Sequence, residues 1–426
     1  MRYQIKPSQL TGEIPIPPSK SHTLRAILFA SLAEGKSIIR NYLPSPDTHA
    51  MIKACQLLGA DIEIEAPQLN IIGTAGKPHT PGNIIDAGNS GQVLRFIAAV
   101  ATLTPGYTVI TGDDSIRNRR PVLPLLEGLS GLGALAISTQ NNGCPPIIIK
   151  GPLQGGETQL DGADSQPVSG VLIAAAFADK PSRIRVTNPG EKPWIDLTLD
   201  WFKRLNINYQ QEDYQHYFLP GKAAYDGFEY DVPGDFSSCA FPLVAALITN
   251  SAVTLTNLDM QNVQGDKLVI NILQAMKANL VIDDSQKHLR VEKTAALTGA
   301  KIDVNPCIDA VTILAVAGCF AQHETVITGA AIARSKESNR LAAITKELSK
   351  MGAQITEQPD GLLIKPAVLT GAKLDSHHDH RIAMSLTVAA MAAQGESSIE
   401  NIDCIAKSYP NFAESLQQLG ARIEIL

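Results

Sequence analysis

Basic side chains recur in this chain where a helix would begin, a place that disfavours cations. In chain order the helix starts carry Ser19, Lys20 and Ser21 with Arg25, then Asn89, Ser90 and Gly91 with Arg95, then Asp164, Ser165 and Gln166. The second half continues with Asp235, Ser237 and Ser238, with Asp309, and with Asp379, His380 and Arg381. Helix N-termini present free N–H groups and a partial positive charge, so they bind anions readily. Ordinary N-capping accounts for each Ser, Asn or Asp taken singly. It does not account for Lys20, Arg25, Arg95 or Arg381, because a cation at a helix start opposes the dipole. Those residues point to a bound anion, and several such starts predict a cleft that gathers several anionic groups.

Two further clusters add to the positive charge. The segment GDDSIRNRRPVLP carries Arg117, Arg119 and Arg120, and ARSKESNRL carries Arg334, Lys336, Glu337 and Arg340. Either cluster taken alone also reads as a solvated charged face. Near the end, IAKSYPNF places Lys407 before an aromatic and a proline. Other motifs fail on their mechanics. ASLAEGKS has Ala30 where a phosphate-cradling loop needs its first glycine, and its GKS closes a helix instead of opening one. In HHDH (377–380) adjacent side chains are poorly placed to meet one ion, so no metal is expected. There is no nucleophile elbow and no dinucleotide fingerprint.

The elements that must hold these residues come from an internal repeat. An apolar, Ala-rich run ends at a turn and is followed by a β-branched segment, six times over. The turns fall at Gly35, Gly106, Lys180, Asn250, His323 and Gly395, which are 71, 74, 70, 73 and 72 residues apart. A second marker follows each turn, an amphipathic helix closed by Gly or Asn and then a strand, as in ACQLLGADIEI and SLQQLGARIEI. Each copy therefore reads as helix, strand, helix, strand with short extra strands, and its first helix is apolar nearly all round and should be buried. Strands alternating with helices predict an α/β protein with partly parallel sheets. Six such units exceed one compact core, so two lobes of three are expected. The hinges are expected at 14–20 and 230–235, giving a first lobe of 18–230 and a second of 1–17 plus 231–426, with the active site in the cleft between them.

Composition excludes other classes. With 44% apolar and 18% charged residues, the 426-residue chain is neither disordered nor a coiled coil. Its longest uninterrupted apolar run, 171–178, is far too short to span a bilayer. The six cysteines lack paired spacing and no leader-like segment precedes them, so reduced thiols and a cytoplasmic location are expected. A net charge of −6 argues against a nucleic-acid surface while leaving room for a small anionic substrate at concentrated cations. No unassigned apolar stripe is apparent, so a monomer is expected.

The segments SKSHTLRAILFASLAEG, DAGNSGQVLRF, DGADSQPVSGVLIAAA, PGDFSSCAFPLVAALI, SKESNRLAAITKELSKMGA, DHRIAMSLTVAAM and AKSYPNF resemble, in order and over the full chain, the signatures of the 3-phosphoshikimate 1-carboxyvinyltransferase (EPSP synthase) family. The resemblance implies a two-lobed inside-out α/β barrel of six βαβαββ repeats. It implies transfer of the enolpyruvyl group of phosphoenolpyruvate to the 5-hydroxyl of shikimate 3-phosphate, with release of phosphate and no cofactor. By resemblance, Lys20, Ser21, Arg25, Ser165, Gln166, Asp309 and Lys336 hold shikimate 3-phosphate. Lys20, Asn89, Gly91, Arg95, Gln166, Arg340, Arg381 and Lys407 surround phosphoenolpyruvate, with Arg120 or Arg119 according to whether Pro121 or Gly112 anchors the loop. Asp309 accepts the hydroxyl proton, Glu337 and Lys20 handle protons at the methylene carbon, and His380 completes the catalytic set. Gly91, lacking a side chain, should admit glyphosate as a competitive inhibitor.

Several positions depart from the family pattern: Leu24, Asp164, Pro167, Glu191, Ile308 and Asn339. Asp164 and Glu191 put acids near an expected phosphate and leave room for a modified acceptor. The related UDP-N-acetylglucosamine enolpyruvyltransferases usually carry a Cys in the loop equivalent to 112–121 and Asn after the first-helix Lys, and this chain has neither. A non-catalytic anion-binding homologue is disfavoured by the intact Lys20, Asp309, Glu337, His380 and Lys407. An RNA-end-processing enzyme would want a more basic face.

Overall fold

Six apolar helices, one per repeat, organise the structure. In the computed structural model, which describes residues 1–426, they are Lys20–Leu32, Gly91–Ala101, Ser165–Phe177, Phe236–Ile248, Val311–Cys319 and His380–Ala392. Their Ala, Leu, Ile and Val side chains face outward on every side of the axis, so each helix must be enclosed. His380–Ala392 has all but its last residue buried. Several polar residues at the helix starts serve the backbone. Ser90, Asp164, Asp235 and Asp379 are N-caps, accepting from the amides of Val93, Gln166, Ser238 and Arg381.

Each repeat contributes one four-stranded sheet. In the second, Ile85–Asp86 lies parallel to Tyr107–Thr111, which pairs antiparallel with Ile147–Lys150, and that strand pairs with Leu135–Ser138. The parallel pair brackets a buried helix, as a parallel crossover requires, and the last two strands form a hairpin. The third and fifth repeats follow the same order. The other three sheets borrow a strand from elsewhere in the chain. Glu229–Asp231 lies beside Lys36–Arg40 in the first, Thr11–Pro15 beside Ala252–Thr256 in the fourth, and Arg2–Lys6 between Ser397–Glu400 and Arg422–Ile425 in the sixth.

Two compact units result, Lys20–Val232 and Met1–Ser19 with Pro233–Leu426, each with three sheets and its own apolar core. The division falls two residues beyond the positions read from the sequence. Ser19 N–H donates to the Pro233 carbonyl and Asp235 N–H to that of Pro17, which ties both connecting segments into the same unit.

The second helix of each repeat ends on a left-handed residue. These are Gly59, Gly133, Asn206, Lys277, Gly352 and Gly420. The fourth corrects the expected Gly or Asn, because Lys277 takes φ 70° while Asn279 starts the next segment. No helix is long and apolar enough to cross a membrane.

Candidate active site

In the Lys20–Val232 unit, the starts of three buried helices carry the predicted groups. Gly91 permits the closest approach among them. A Cβ there would lie 2.8 Å from Arg95 Nη1 and 2.9 Å from Arg120 Nη1, so the missing side chain is what lets two guanidinium groups converge. Arg95 donates to the Gly91 carbonyl, to Gln166 Oε1 and to the Pro121 carbonyl, and pairs with Asp164 Oδ2 at 3.1 Å. Arg120 donates to Asn89 Oδ1 at 3.3 Å, and Asn89 Nδ2 donates to Asp113. Lys20 Nζ lies 3.4 Å from Asp47 Oδ2, which also accepts the Ser90 hydroxyl at 3.0 Å. Ser21, next to Lys20, is half-buried.

Arg25 is enclosed more deeply. Its Nε donates to Thr198 Oγ1, its Nη2 to the Trp194 carbonyl and its Nη1 to the Ser21 carbonyl, while the guanidinium stacks 5.0 Å from the Phe96 ring centre. Burial with no carboxylate partner pulls its pKa down to about 9. A guanidinium so placed favours an anion that would restore its charge balance. The neighbouring Ser165 gives both its hydroxyl and its N–H to Glu191 Oε2, at 2.8 and 2.9 Å. Glu191 itself is buried, with left-handed backbone at φ 45°.

In the other unit, Arg340 is the hub. Its Nε, Nη1 and Nη2 each reach a carboxylate, Asp379 at 2.9 Å, Asp309 at 2.7 Å and Glu337 at 2.8 Å. Arg381 Nη2 lies 3.3 Å from Asp309 Oδ2, and Lys407 Nζ 2.7 Å from Glu337 Oε1. His380 lies beside Asp379 at 3.7 Å. Burial alone would raise the Asp309 pKa, but Arg381, Arg340 and Lys336 together hold it well below the usual carboxylate range. Arg381 Nε and Nη1 are buried without a hydrogen-bond partner in the protein, as are Arg95 Nε and Gln92 Nε2 in the first unit. Such donors cost about 1–3 kcal/mol each unless a ligand accepts from them. Both sets therefore suit anions, one with the half-buried Asp309 carboxylate among its cations.

A family model for EPSP synthase (3-phosphoshikimate 1-carboxyvinyltransferase) matches residues 5–416, nearly the whole chain. The chain belongs to the EPSP synthase family. Its similarity to the 3-phosphoshikimate 1-carboxyvinyltransferase of Chlamydia pneumoniae is 43% identity over 426 residues, covering 100% of this chain and 95% of the relative. The enzyme of that name from Acetivibrio thermocellus is 42% identical, with 99% of each chain covered. Among solved structures, an EPSP synthase from Acinetobacter baumannii superposes with a TM-score of 0.83 at 29% identity, covering 99% of each chain.

Several predicted residues of this EPSP synthase family member take other places. Arg119 is exposed at the end of the helix Asp114–Arg119, and Arg120 is the arginine beside Gly91. Arg117 turns back onto the Gly112 carbonyl, and Arg334 is held by Glu357 and the carbonyls of Gln358 and Pro359. Asp164 caps its helix and pairs with Arg95, which explains an acid at that start. Asp47 was missed. Its signal was present in SPDTH, a Ser cap and Pro opening a helix with an acid that the fold buries against Lys20.

Proposed function

We infer that the chain transfers the enolpyruvyl group of phosphoenolpyruvate to the 5-hydroxyl of shikimate 3-phosphate and releases phosphate. The observation that carries this reading is the family match over residues 5–416. The site chemistry supports it, since both substrates are multiply anionic and charge-assisted bonds contribute roughly 1.5–3 kcal/mol each.

In this reading Lys20, Ser21, Arg25, Ser165, Gln166 and Lys336 receive shikimate 3-phosphate. Lys20, Asn89, Gly91, Arg95, Arg120, Gln166, Arg340, Arg381 and Lys407 receive phosphoenolpyruvate. Asp309 takes the hydroxyl proton as the acceptor oxygen bonds to C2 of phosphoenolpyruvate. An anion that draws Arg381 donors toward itself loosens their hold on Asp309 and raises its basicity at the moment it is needed. Glu337 and Lys20, with His380 alongside, move protons at the methylene carbon, first to it and then from the resulting methyl as the C–O bond to phosphate breaks. Glu337 is oriented by Arg340 and Lys407, and Lys20 by Asp47.

The three sheets of each unit are read as faces of an inside-out α/β barrel. The enzyme is proposed to work as a monomer in the cytoplasm, with glyphosate competing for the phosphoenolpyruvate site. Unchanged turnover under saturating glyphosate at low phosphoenolpyruvate would remove that inhibitor from the reading. The reaction itself is tested by phosphate release from phosphoenolpyruvate, with and without shikimate 3-phosphate. Release that requires the acceptor and collapses in Asp309→Ala supports it. Wild type that is inactive yet thermally protected by both ligands would point to a different acceptor.

A further inference from the structure

Behind Asp309 lies a second acid that the reaction as described does not use. Asp266 sits in the short turn Gly265–Lys267, which packs against the turn Asn305–Ala310 carrying Asp309 and against the helix Phe236–Ile248. It is only 1% exposed. Its Oδ2 accepts the Ser237 hydroxyl, whereas its Oδ1 is buried with no hydrogen-bond partner in the protein. Gln264 fixes the surroundings, donating to Asp235 Oδ1 at 2.6 Å and to Ser237 Oγ at 3.0 Å.

The ionisable groups that act on Asp266 come from three elements. They are Asp309 beside the helix Val311–Cys319, Arg381 in His380–Ala392, and Asp235 at the cap of Phe236–Ile248. The Cys307 thiol lies on the same turn as Asp309 and is itself pushed up by burial and by Asp266. Lys267 offers no compensation, because its Nζ is spent on the carbonyls of Met260 and Asn262.

We propose that Asp266 is a positioning residue for Asp309: it works as an uncharged acid, and once ionised it draws Arg381 away from Asp309 and from the anionic substrate. The inference rests on Asp309 being the base. Asp309 already pairs with Arg340 and Arg381, whereas Asp266 has only a hydroxyl on one oxygen and nothing on the other, so Asp266 is the acid that keeps its proton. Arg340 contacts Asp309 directly, which makes Asp309 the charged member. Burial and then Asp309 push Asp266 up to about 8, against the pull of Arg381. An acid raised in the folded state destabilises the fold as pH climbs from the ordinary carboxylate range toward that value, because the unfolded chain has already released the proton.

The test is the pH profile of kcat/KM for wild type, Asp266→Asn and Asp309→Asn between about pH 6 and pH 10. Asp266→Asn mimics the neutral acid, so it should keep at least a third of wild-type activity near pH 7 and move the alkaline fall upward by about one pH unit or more. Its melting temperature should gain on wild type between about pH 4 and pH 8. An alkaline limb unchanged from wild type, or a loss as deep as that of Asp309→Asn at every pH, overturns the proposal. An active Asp309→Asn would instead defeat the reading of Asp309 as base. If Asp266→Asn does not fold, difference infrared spectra of wild type decide. A buried carboxylic-acid C=O band present at neutral pH and lost by pH 9.5 supports the proposal, and its absence at neutral pH overturns it.

Discussion

At the scale of single residues, the site depends on what is missing at Gly91 as much as on the charges around it. The added methyl of Gly91→Ala would meet the side-chain ends of Arg95 and Arg120, with Gln166 Oε1 next at 3.6 Å, none of them a backbone atom. It should therefore leave the melting temperature nearly unchanged while raising the KM for phosphoenolpyruvate about tenfold, the equivalent of about 1.4 kcal/mol. Steady-state kinetics beside a thermal melt separates the two effects. Glu191 offers a second test. Its carboxylate holds the hydroxyl and N–H of Ser165, which the proposed reaction assigns to shikimate 3-phosphate. Neutralising it in Glu191→Gln should lower the KM for that substrate several-fold, and an unchanged KM would place the phosphate elsewhere. Asp309 adds a pH dependence. Its lowered pKa contributes stability that is present above the ordinary carboxylate value and lost as pH falls through the folded one. Acid titration of wild type should therefore show a steeper loss than that of Asp309→Asn.

At the scale of elements, the same motif is used six times and tolerates chemical variation at its joints. Five of the six second-helix ends use Gly or Asn in the left-handed position, and the fourth uses Lys277. A side chain there carries a backbone cost of about 1 kcal/mol. Lys277→Gly should recover much of it and raise the melting temperature by roughly 2–4 °C, measurable by calorimetry with activity unaltered. The first-helix starts vary for a different reason. Ser90, Asp164, Asp235 and Asp379 all cap, but the cations just inside the helices begun by Ser90 and Asp379 are stable only where acids or an anion offset the dipole. Arg95 has Asp164, and Arg381 has Asp309.

At the scale of the whole molecule, each unit closes on itself through borrowed strands and keeps a separate core. Fully buried Leu172 and Leu314 sit in different cores. Leu172→Ala and Leu314→Ala should each cost about 2–5 kcal/mol, and scanning calorimetry should show each lowering the melting of its own unit first. The repeat, the six buried helices, the α/β class and the family were all legible in the chain, because periodicity and signature segments are local properties. Arg25, Arg95 and Arg381 were legible as well, since a cation at a helix start is anomalous in any fold. Other features were decided only by the tertiary structure. The loop sequence gave Arg119 and Arg120 equal claims, and only packing turned one to solvent and the other to Gly91. Asp47 and Asp266 look like ordinary acids in the chain, yet each is buried against groups 20 or more residues away. A carboxylate's role is set by the charges and donors that surround it, and long-range packing chooses those neighbours.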